Sequence, residues 1–130
     1  MRIICVEGTR FFRHGIDHLA MRIFPKAKLT SCRTAEMGFQ LIQKHEPDLL
    51  ITDLWKNNDS YDGIFLAQVA ESANPNVRVV FITATPKERV ETELAALREY
   101  SYIRKPFYRA QLRALLREQQ KQMAEPPETN

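Results

Sequence analysis

The run from Pro47 to Asp53 constrains this chain more than any other stretch. It is a short apolar segment, entered by a proline and closed by an acidic residue. A run of this kind is typical of a strand buried on both faces, as in a parallel sheet. Asp53 then lies at the carboxyl end of that strand, and open α/β sheets bind ligands in the crevice outside such ends. We therefore expect the functional residues to gather around Asp53.

Apolar runs and helical patterns alternate along the rest of the chain. We predict strands at residues 2–6, 28–33, 47–53, 77–83 and 100–104. Periodic apolar residues predict a helix after each strand; the inward-facing residues are Phe12, Ile16, Leu19, Ile23, Phe39, Ile42, Val90, Leu94, Leu97, Leu112, Leu115 and Leu116. Five strands alternating with five helices predict an α/β fold, a doubly wound parallel sheet with helices on both faces.

Several residues predict where the helices begin and end. Thr9 and Thr34 are expected to cap the first and second helices, and Gly63 opens a third that runs to about Ala73. Thr85, with Pro86 at the first helical position and Glu88 after it, predicts a capping box at the fourth helix. The first four helices are therefore predicted to begin within a few residues of the turn or loop that follows each preceding strand.

The length and composition favour one ordinary domain. The chain has 130 residues, and hydrophobic residues make up 44% of them, so a core can form without disulfide or metal staples. We assign residues 1–118 to the domain and 119–130 to a polar tail or linker, in which Pro126 and Pro127 oppose further helix. Cys5 and Cys32 lie in apolar segments and are expected to be free, buried thiols in a reducing cytoplasm.

The net charge of +3 is too small to indicate a nucleic-acid-binding protein. The basic residues are concentrated near the start, where residues 1–30 contain six Arg and Lys but only two acidic residues. A solvated helix face accounts for this more simply than a docking surface does. No apolar run approaches the roughly 20 residues needed to span a bilayer, so we expect no membrane association.

Four chemically active residues follow the predicted strands at the point where each strand ends. They are Glu7, Asp53, Thr83 and Lys105. Because parallel strands end at the same edge of a sheet, these side chains are expected to share one crevice. Each alone has an ordinary structural explanation, but an acid, a carboxylate, a hydroxyl and an ammonium together indicate a site.

With these residues in place, the chain resembles a bacterial response-regulator receiver domain from about Arg2 to Arg117. The matching segments are residues 3–7 (IICVE), 47–53 (PDLLITD), 62–63 (DG), 80–84 (VFITA) and 102–107 (YIRKPF). The resemblance implies a flavodoxin-like fold with strand order 2-1-3-4-5. It also implies that Asp53 accepts a phosphoryl group from the phosphohistidine of a kinase or phosphotransfer protein.

The resemblance assigns roles to the residues around Asp53. Mg²⁺ would be held by Glu7, Asp53 and the backbone carbonyl of Trp55, and Lys105 and Thr83 would contact the phosphoryl oxygens. Small Ala84 would keep the site open. The switch would couple Thr83 to rotation of Tyr102 and remodel the face made by the fourth helix, fifth strand and fifth helix. The Lys105–Pro106 peptide bond is expected to be cis.

The sequence departs from the family pattern at two places, the acidic metal ligands after the first strand and the loop after Asp53. Receivers usually carry two adjacent acids after the first strand, whereas here Gly8 follows Glu7. Because Mg²⁺ affinity falls with ligand charge, weaker binding is expected. Trp55, Lys56 and Asn57 replace the usual small residue and Met-Pro. The indole of Trp55 would either shield or block the site, and Asp59 and Asp62 are more simply turn residues than substitute ligands.

Three functions remain open. The first, implied by the resemblance, is a phosphorylatable receiver in the cytoplasm, not an enzyme, that switches a partner or an attached output domain. By analogy with the family alone, it could form a homodimer through the face of the fourth helix, fifth strand and fifth helix. The second, favoured by Gly8 and Trp55, is a receiver-like interaction module that works unphosphorylated. The third, a small enzyme or flavin carrier, is disfavoured because Glu7 stands where a flavin phosphate would lie.

Overall fold

The computed structural model describes residues 1–54, 62–95, 97 and 100–124. Strands and helices alternate along them, and all strand pairs are parallel. The elements are β1 (Arg2–Val6), α1 (Arg10–Ile23), β2 (Lys28–Cys32), α2 (Ala35–His45), β3 (Leu49–Asp53), α3 (Gly63–Ala73), β4 (Arg78–Thr83), α4 (Lys87–Glu93), β5 (Ser101–Arg104) and α5 (Arg109–Ala124). The sheet order is β2-β1-β3-β4-β5, so the predicted doubly wound fold is confirmed.

The sheet is covered on both faces, as the apolar character of its central strands predicts. Alternate residues of β1, β3 and β4 point to opposite faces. Ile4, Leu50 and Phe81 pack with α2, α3 and α4, whereas Cys5 and Ile51 pack with α1 and α5. The middle of the sheet is thus fully buried, which leaves its carboxyl edge as the place where polar side chains gather.

Two of the helix starts agree with the sequence and two differ. The Thr34 hydroxyl accepts a hydrogen bond from the Met37 N–H at 3.2 Å, and Asp62 caps α3 by accepting from Phe65 N–H at 2.8 Å. Thr9 stands at the N-cap of α1, but its side chain makes no cap hydrogen bond. The capping box predicted at α4 was wrong, because the N-cap position has no side-chain hydrogen bond.

Thr85 remains in the loop before α4, and Pro86 occupies the N-cap position. The reason is local: the Thr85 N–H donates to the Thr83 hydroxyl at 2.9 Å, which turns the chain back toward β4. The helix also ends earlier than its apolar stripe. Leu94 and Leu97 are buried as predicted, but they follow the last helical residue, Glu93.

The domain boundary predicted after residue 118 falls inside α5, which continues to Ala124. Gln119 is only 1% exposed. It accepts from Arg78 Nε at 3.0 Å and donates to Ser101 Oγ at 2.9 Å. The polar composition of this segment was therefore misleading, because the buried amide of Gln119 is satisfied by partners from β4 and β5. Residues 125–130 of the predicted tail lie outside the described part.

Both cysteines are free and buried, as expected. Burial raises the pKa of Cys5 well above its ordinary value and that of Cys32 to about 11. Both thiols therefore stay protonated at neutral pH. Within the described ranges, no helix has both the length and the apolar character required to cross a bilayer.

Candidate functional site at the carboxyl edge of the sheet

The predicted site residues meet at the carboxyl edge because the strands that precede them are parallel and in register. Asp53 pairs with Ile82 of β4, and Thr83 is the next residue. The Lys105 N–H donates to the Thr83 carbonyl at 2.7 Å, which extends the pairing of β4 and β5 by one residue. Asp53, Thr83 and Lys105 are thus positioned by neighbouring backbones rather than by a flexible loop.

The centre of the site is the Lys105 ammonium group, which lies between two carboxylates. Its Nζ is 2.9 Å from Oδ2 of Asp53 and 2.7 Å from Oε1 of Glu7. The side chains are 11% exposed for Lys105, 14% for Asp53 and 1% for Glu7. One cation therefore balances two largely buried carboxylates. Removing the cation would leave buried negative charge unpaired, which costs free energy of folding.

Glu7 is held in place by the start of α1. Its Oε2 accepts from the Thr9 N–H at 2.8 Å, and its carbonyl accepts from Arg13 Nη1 at 3.0 Å. Its own N–H donates to the Cys32 carbonyl at 3.0 Å. With one oxygen on the backbone and the other on Lys105, this carboxylate is oriented toward Asp53.

Phe12 covers Lys105 on the side of α1. The ammonium nitrogen is 4.9 Å from the centre of the Phe12 ring, within the range of a cation–π contact. The Phe12 ring also lies 5.5 Å from that of Phe107. The sequence predicted Phe12 only as a member of the apolar stripe of α1. The sequence did contain a signal for this contact: Phe12 lies on the first helical turn after Glu7, and that turn faces the carboxyl edge of the sheet.

Thr83 is fully buried, and its hydroxyl accepts from the Thr85 N–H. A hydroxyl that accepts still has its own proton to donate. Ala84, which follows it, is exposed. Tyr102, which pairs with Phe81 in the sheet, is partly buried against the α2–α4 side of the core. The predicted cis Lys105–Pro106 peptide bond is confirmed.

The ionisation of Asp53 and Lys105 reflects their burial and their pairing. Burial raises the pKa of Asp53, an effect that Lys105 only partly offsets. Burial by itself lowers the pKa of Lys105, but hydrogen bonds and attraction from Glu7 and Asp53 outweigh it, so the pKa of Lys105 is raised. Lys105 therefore stays charged, and ionisation of Asp53 costs free energy in the folded state.

The oxygen donors of the site suit a hard divalent cation, but they are few. In the described part of the chain, no group of three or more His, Cys, Asp and Glu side chains could hold a metal ion. Glu7 and Asp53 contribute two carboxylates that converge on Lys105. Mg²⁺ is commonly bound by one or two carboxylates together with phosphate oxygens and waters. The residues thus fit Mg²⁺ in the presence of a phosphoryl group.

Part of the loop after β3 lies outside the described residues. Trp55, predicted to offer a backbone carbonyl, and Asp59 lie outside the described residues. Asp62 is a helix cap rather than a spare ligand. Gly63 lies directly against Asp53, since a Cβ atom there would collide with the Asp53 carbonyl oxygen. The glycine therefore lets α3 begin beside the end of β3.

A parallel five-stranded sheet with this strand order is a flavodoxin-like fold, and in this chain its carboxyl edge carries an acid–lysine cluster. The sequence matches the model of the response regulator receiver domain over residues 3–117, and the chain belongs to that family. Members are signalling domains in two-component phosphorelays that interact with kinases and output domains and generally bind Mg²⁺. The family predicted from the sequence is confirmed.

The individual proteins that the chain resembles are only distantly similar to it in sequence. The nitrogen assimilation regulatory protein NtrX of Azorhizobium caulinodans is 30% identical over 79 residues, which cover 59% of this chain and 17% of that protein. The chain thus matches a small part of a longer regulator.

Solved structures show the same fold at low identity. The signal receiver domain of a DNA-binding response regulator from Colwellia psychrerythraea has a TM-score of 0.77 at 20% identity, covering 93% of this chain and 98% of that one. A response regulator receiver protein from Sinorhizobium medicae has a TM-score of 0.75 at 18% identity, covering 91% and 92%.

Proposed function

We propose that this receiver domain accepts a phosphoryl group on Asp53 from a histidine kinase or phosphotransfer protein in the cytoplasm. The observation that supports it most directly is the position of Lys105 Nζ, 2.9 Å from Oδ2 of Asp53 at the carboxyl edge of the sheet. An ammonium group there can neutralise the carboxylate before the reaction and a phosphoryl oxygen after it.

The reaction is a substitution at phosphorus. One Asp53 oxygen attacks the phosphorus atom, the P–N bond to the donor histidine breaks, and the imidazole leaves with the bonding pair and takes up a proton. Lys105 then pairs with the negative charge on the phosphoryl group. The Thr83 hydroxyl, which already accepts from Thr85 N–H, has its proton available for another phosphoryl oxygen.

Mg²⁺ would be held by Glu7 and Asp53 and, outside the described residues, by the Trp55 carbonyl. When bound, it would neutralise charge between the carboxylates and the incoming phosphoryl oxygens. Lys105 occupies the point where the two carboxylates converge, and it would have to shift toward the phosphoryl group. The absence of a second acid at Gly8 leads us to expect weak Mg²⁺ binding.

The output of the modification would be a change of the α4-β5-α5 face. Thr83, Ala84 and Tyr102 link the site to this face, since Thr83 pairs with Arg104 in the sheet and Tyr102 lies two residues earlier on β5. Movement of the Thr83 side chain toward the phosphoryl group would strain or break its hydrogen bond with the Thr85 N–H and alter the start of α4. A partner, an attached output domain or a second copy of the chain would read that change.

The direct test is the intact mass after incubation with acetyl phosphate and Mg²⁺. One added phosphoryl group is expected for the natural chain and none for Asp53→Asn, which keeps the shape of the side chain. Asp48→Asn, one residue before the start of the same strand, is the matched control and should still be modified. Absence of an adduct, or an adduct that Asp53→Asn retains, would reject the proposal.

A second candidate is a receiver that binds its partner without phosphorylation. The observation in its favour is the Glu7–Lys105–Asp53 cluster, in which a lysine already occupies the place between the carboxylates. This function predicts that partner affinity is the same for the natural chain, for Asp53→Asn and with beryllofluoride. A change in affinity of about tenfold or more (about 1.4 kcal/mol) in either case would reject it.

A further inference from the structure

A groove between α1 and α5 adjoins the site at the carboxyl edge and shares Phe12 with it. Its volume is about 750 Å³, within the range of roughly 300–1,000 Å³ typical of small-molecule sites. We call it the α1–α5 groove; its walls include Arg10, Phe11, Phe12, Gly15, Phe107 and Arg109. The groove is large enough to take a small organic ligand.

The apolar part of the groove is largely aromatic. Phe11 and Phe12 make an edge-to-face pair with ring centres 5.6 Å apart, and Phe12 and Phe107 are 5.5 Å apart. Phe11 is 82% exposed, although burial of an aromatic side chain is favourable. A ligand with an apolar part would bury the Phe11 ring, which the packing of the domain leaves exposed.

The polar part of the groove is basic. Arg10 and Arg109 stand on the two helices that form its sides, and no Asp or Glu is among the described residues that line it. Arg109 Nη2 is 3.0 Å from Nδ1 of His18; since arginine can only donate, this nitrogen of His18 is the acceptor. The imidazole thus orients one guanidinium group, and the groove favours a negatively charged group.

Gly15 opens the groove from the α1 side. A Cβ atom at this position would have no neighbour within 4 Å, so the missing side chain leaves space rather than relieving a close contact. Glycine inside a helix costs about 0.5–1 kcal/mol relative to alanine. The residue therefore weakens α1 without any packing reason within the domain, while keeping the groove open.

We propose that the α1–α5 groove is a binding site for an apolar organic anion, such as an aromatic or acyl carboxylate, sulfonate or phosphate ester. The aromatic rings take the apolar body, and Arg10 and Arg109 take the anionic group. Inorganic phosphate has no apolar part to cover the rings, and a neutral hydrocarbon offers the guanidinium groups no negative charge.

The ligand also changes the environment of Lys105 because Phe12 belongs to both sites. The Phe12 ring lines the groove and lies 4.9 Å from Lys105 Nζ. A ligand that packs against Phe12 shifts this ring relative to the ammonium group. Occupation of the groove is thereby communicated to the acid–lysine cluster through one side chain, whether or not Asp53 is phosphorylated.

The binding test uses 8-anilinonaphthalene-1-sulfonate as the probe and its neutral counterpart N-phenyl-1-naphthylamine. We expect one sulfonate probe per chain by fluorescence titration, with the neutral compound at least about tenfold weaker because it lacks the charge-assisted contacts. Equal affinity for the two compounds, or several equivalent sulfonate sites per chain, would overturn the proposal.

Substitutions locate the probe. Gly15→Leu fills the groove and replaces a poor helix former by a good one, so it should abolish binding without lowering the melting temperature. Arg109→Gln should weaken binding about tenfold, as expected for loss of one charged contact, whereas Arg117→Gln, exposed on the same helix and outside the groove, should not. Unchanged binding by Gly15→Leu would show that the probe sits elsewhere.

The link to Lys105 has its own readout. The ring current of Phe12 shifts the ε-methylene proton signals of Lys105, and these signals should move as the sulfonate probe saturates the groove. In Phe12→Leu, which keeps an apolar side chain, the probe-induced shift should disappear. If the chemical shift of the Lys105 ε-methylene protons does not change at saturation in the natural chain, the coupling is refuted.

Discussion

Lys105 Nζ and Oε1 of Glu7 are 2.7 Å apart, with the glutamate side chain only 1% exposed. The same ammonium nitrogen is the partner of Asp53 at 2.9 Å. A single lysine thus supports two acidic groups from two different strands. The consequence is that Lys105 matters for the folded state before any phosphoryl group arrives.

Replacing Lys105 by Met leaves two carboxylates buried without their cation. We expect the free energy of unfolding at pH 7 to fall by on the order of 3 kcal/mol, as for other buried pairs that lose one partner. Urea denaturation measures it. Lys87→Met, at an exposed position of α4, should change stability by less than about 0.5 kcal/mol. Equal effects of the two substitutions would contradict a structural role for Lys105.

The stabilisation by Lys105 should depend on pH in the alkaline range. The pKa of Lys105 is raised from its ordinary value of 10.5, so the folded state holds this proton more tightly than the unfolded state. The contribution is complete below pH 10.5 and is lost as pH rises through the higher pKa of the folded protein. The stability difference between the natural chain and Lys105→Met should therefore stay constant from pH 7 to 10 and shrink above that.

Asp53→Asn should not destabilise the domain at neutral pH, and we expect its melting temperature to rise. Burial raises the pKa of Asp53, which means that the folded state disfavours the ionised carboxyl relative to the unfolded state. This penalty is present at pH 7 and vanishes when pH falls below the ordinary pKa of aspartate, where both states are protonated. Calorimetry at pH 7 and pH 3 tests it; a large loss at pH 7 would contradict it.

Gly63→Ala should lower the free energy of unfolding by about 1–3 kcal/mol, the usual cost of forcing an extra atom into a packed position. The added Cβ collides with the backbone carbonyl oxygen of Asp53, so either α3 or the end of β3 must move. Gly15→Ala is the matched control, because a Cβ there meets nothing within 4 Å. That variant should gain up to about 1 kcal/mol. Chemical denaturation of both variants decides.

Ending the chain after residue 118 should destabilise the domain, whereas ending it after residue 124 should not. The shorter chain loses the hydrogen bonds of Gln119 to Arg78 and Ser101 and that of Gln120 to the Ile23 carbonyl at 2.8 Å. The net contribution of such a hydrogen bond to stability is about 0.5–1.5 kcal/mol, so the loss of all three should be measurable. Thermal unfolding of the two truncated chains measures the difference, and equal midpoints would place the domain boundary at residue 118 after all.

The departures from the sequence-based predictions have two different causes. The helix starts at Thr34 and Asp62 depend on a side chain and a backbone group three residues away, and Gly63 stands where the third helix was expected to open. At α4, the Thr85 N–H is instead bonded to Thr83, a residue of the preceding strand, so one local bond replaces another. At α5, Gln119 and Gln120 are held by partners 18 to 97 positions away, and a local pattern cannot report a bond whose other half is distant.

The sequence by itself determined the alternation of strands and helices, the buried centre of the sheet, and the presence of Glu7, Asp53, Thr83 and Lys105 after its strands. It did so because apolar periodicity and strand ends are local properties of the chain. Only the tertiary structure decided that one ammonium group spans both carboxylates, that Phe12 lies over it, and that α1 and α5 leave an aromatic, basic groove. Those relations depend on distances between residues that are far apart in sequence, and such distances arise only when the helices pack on the sheet.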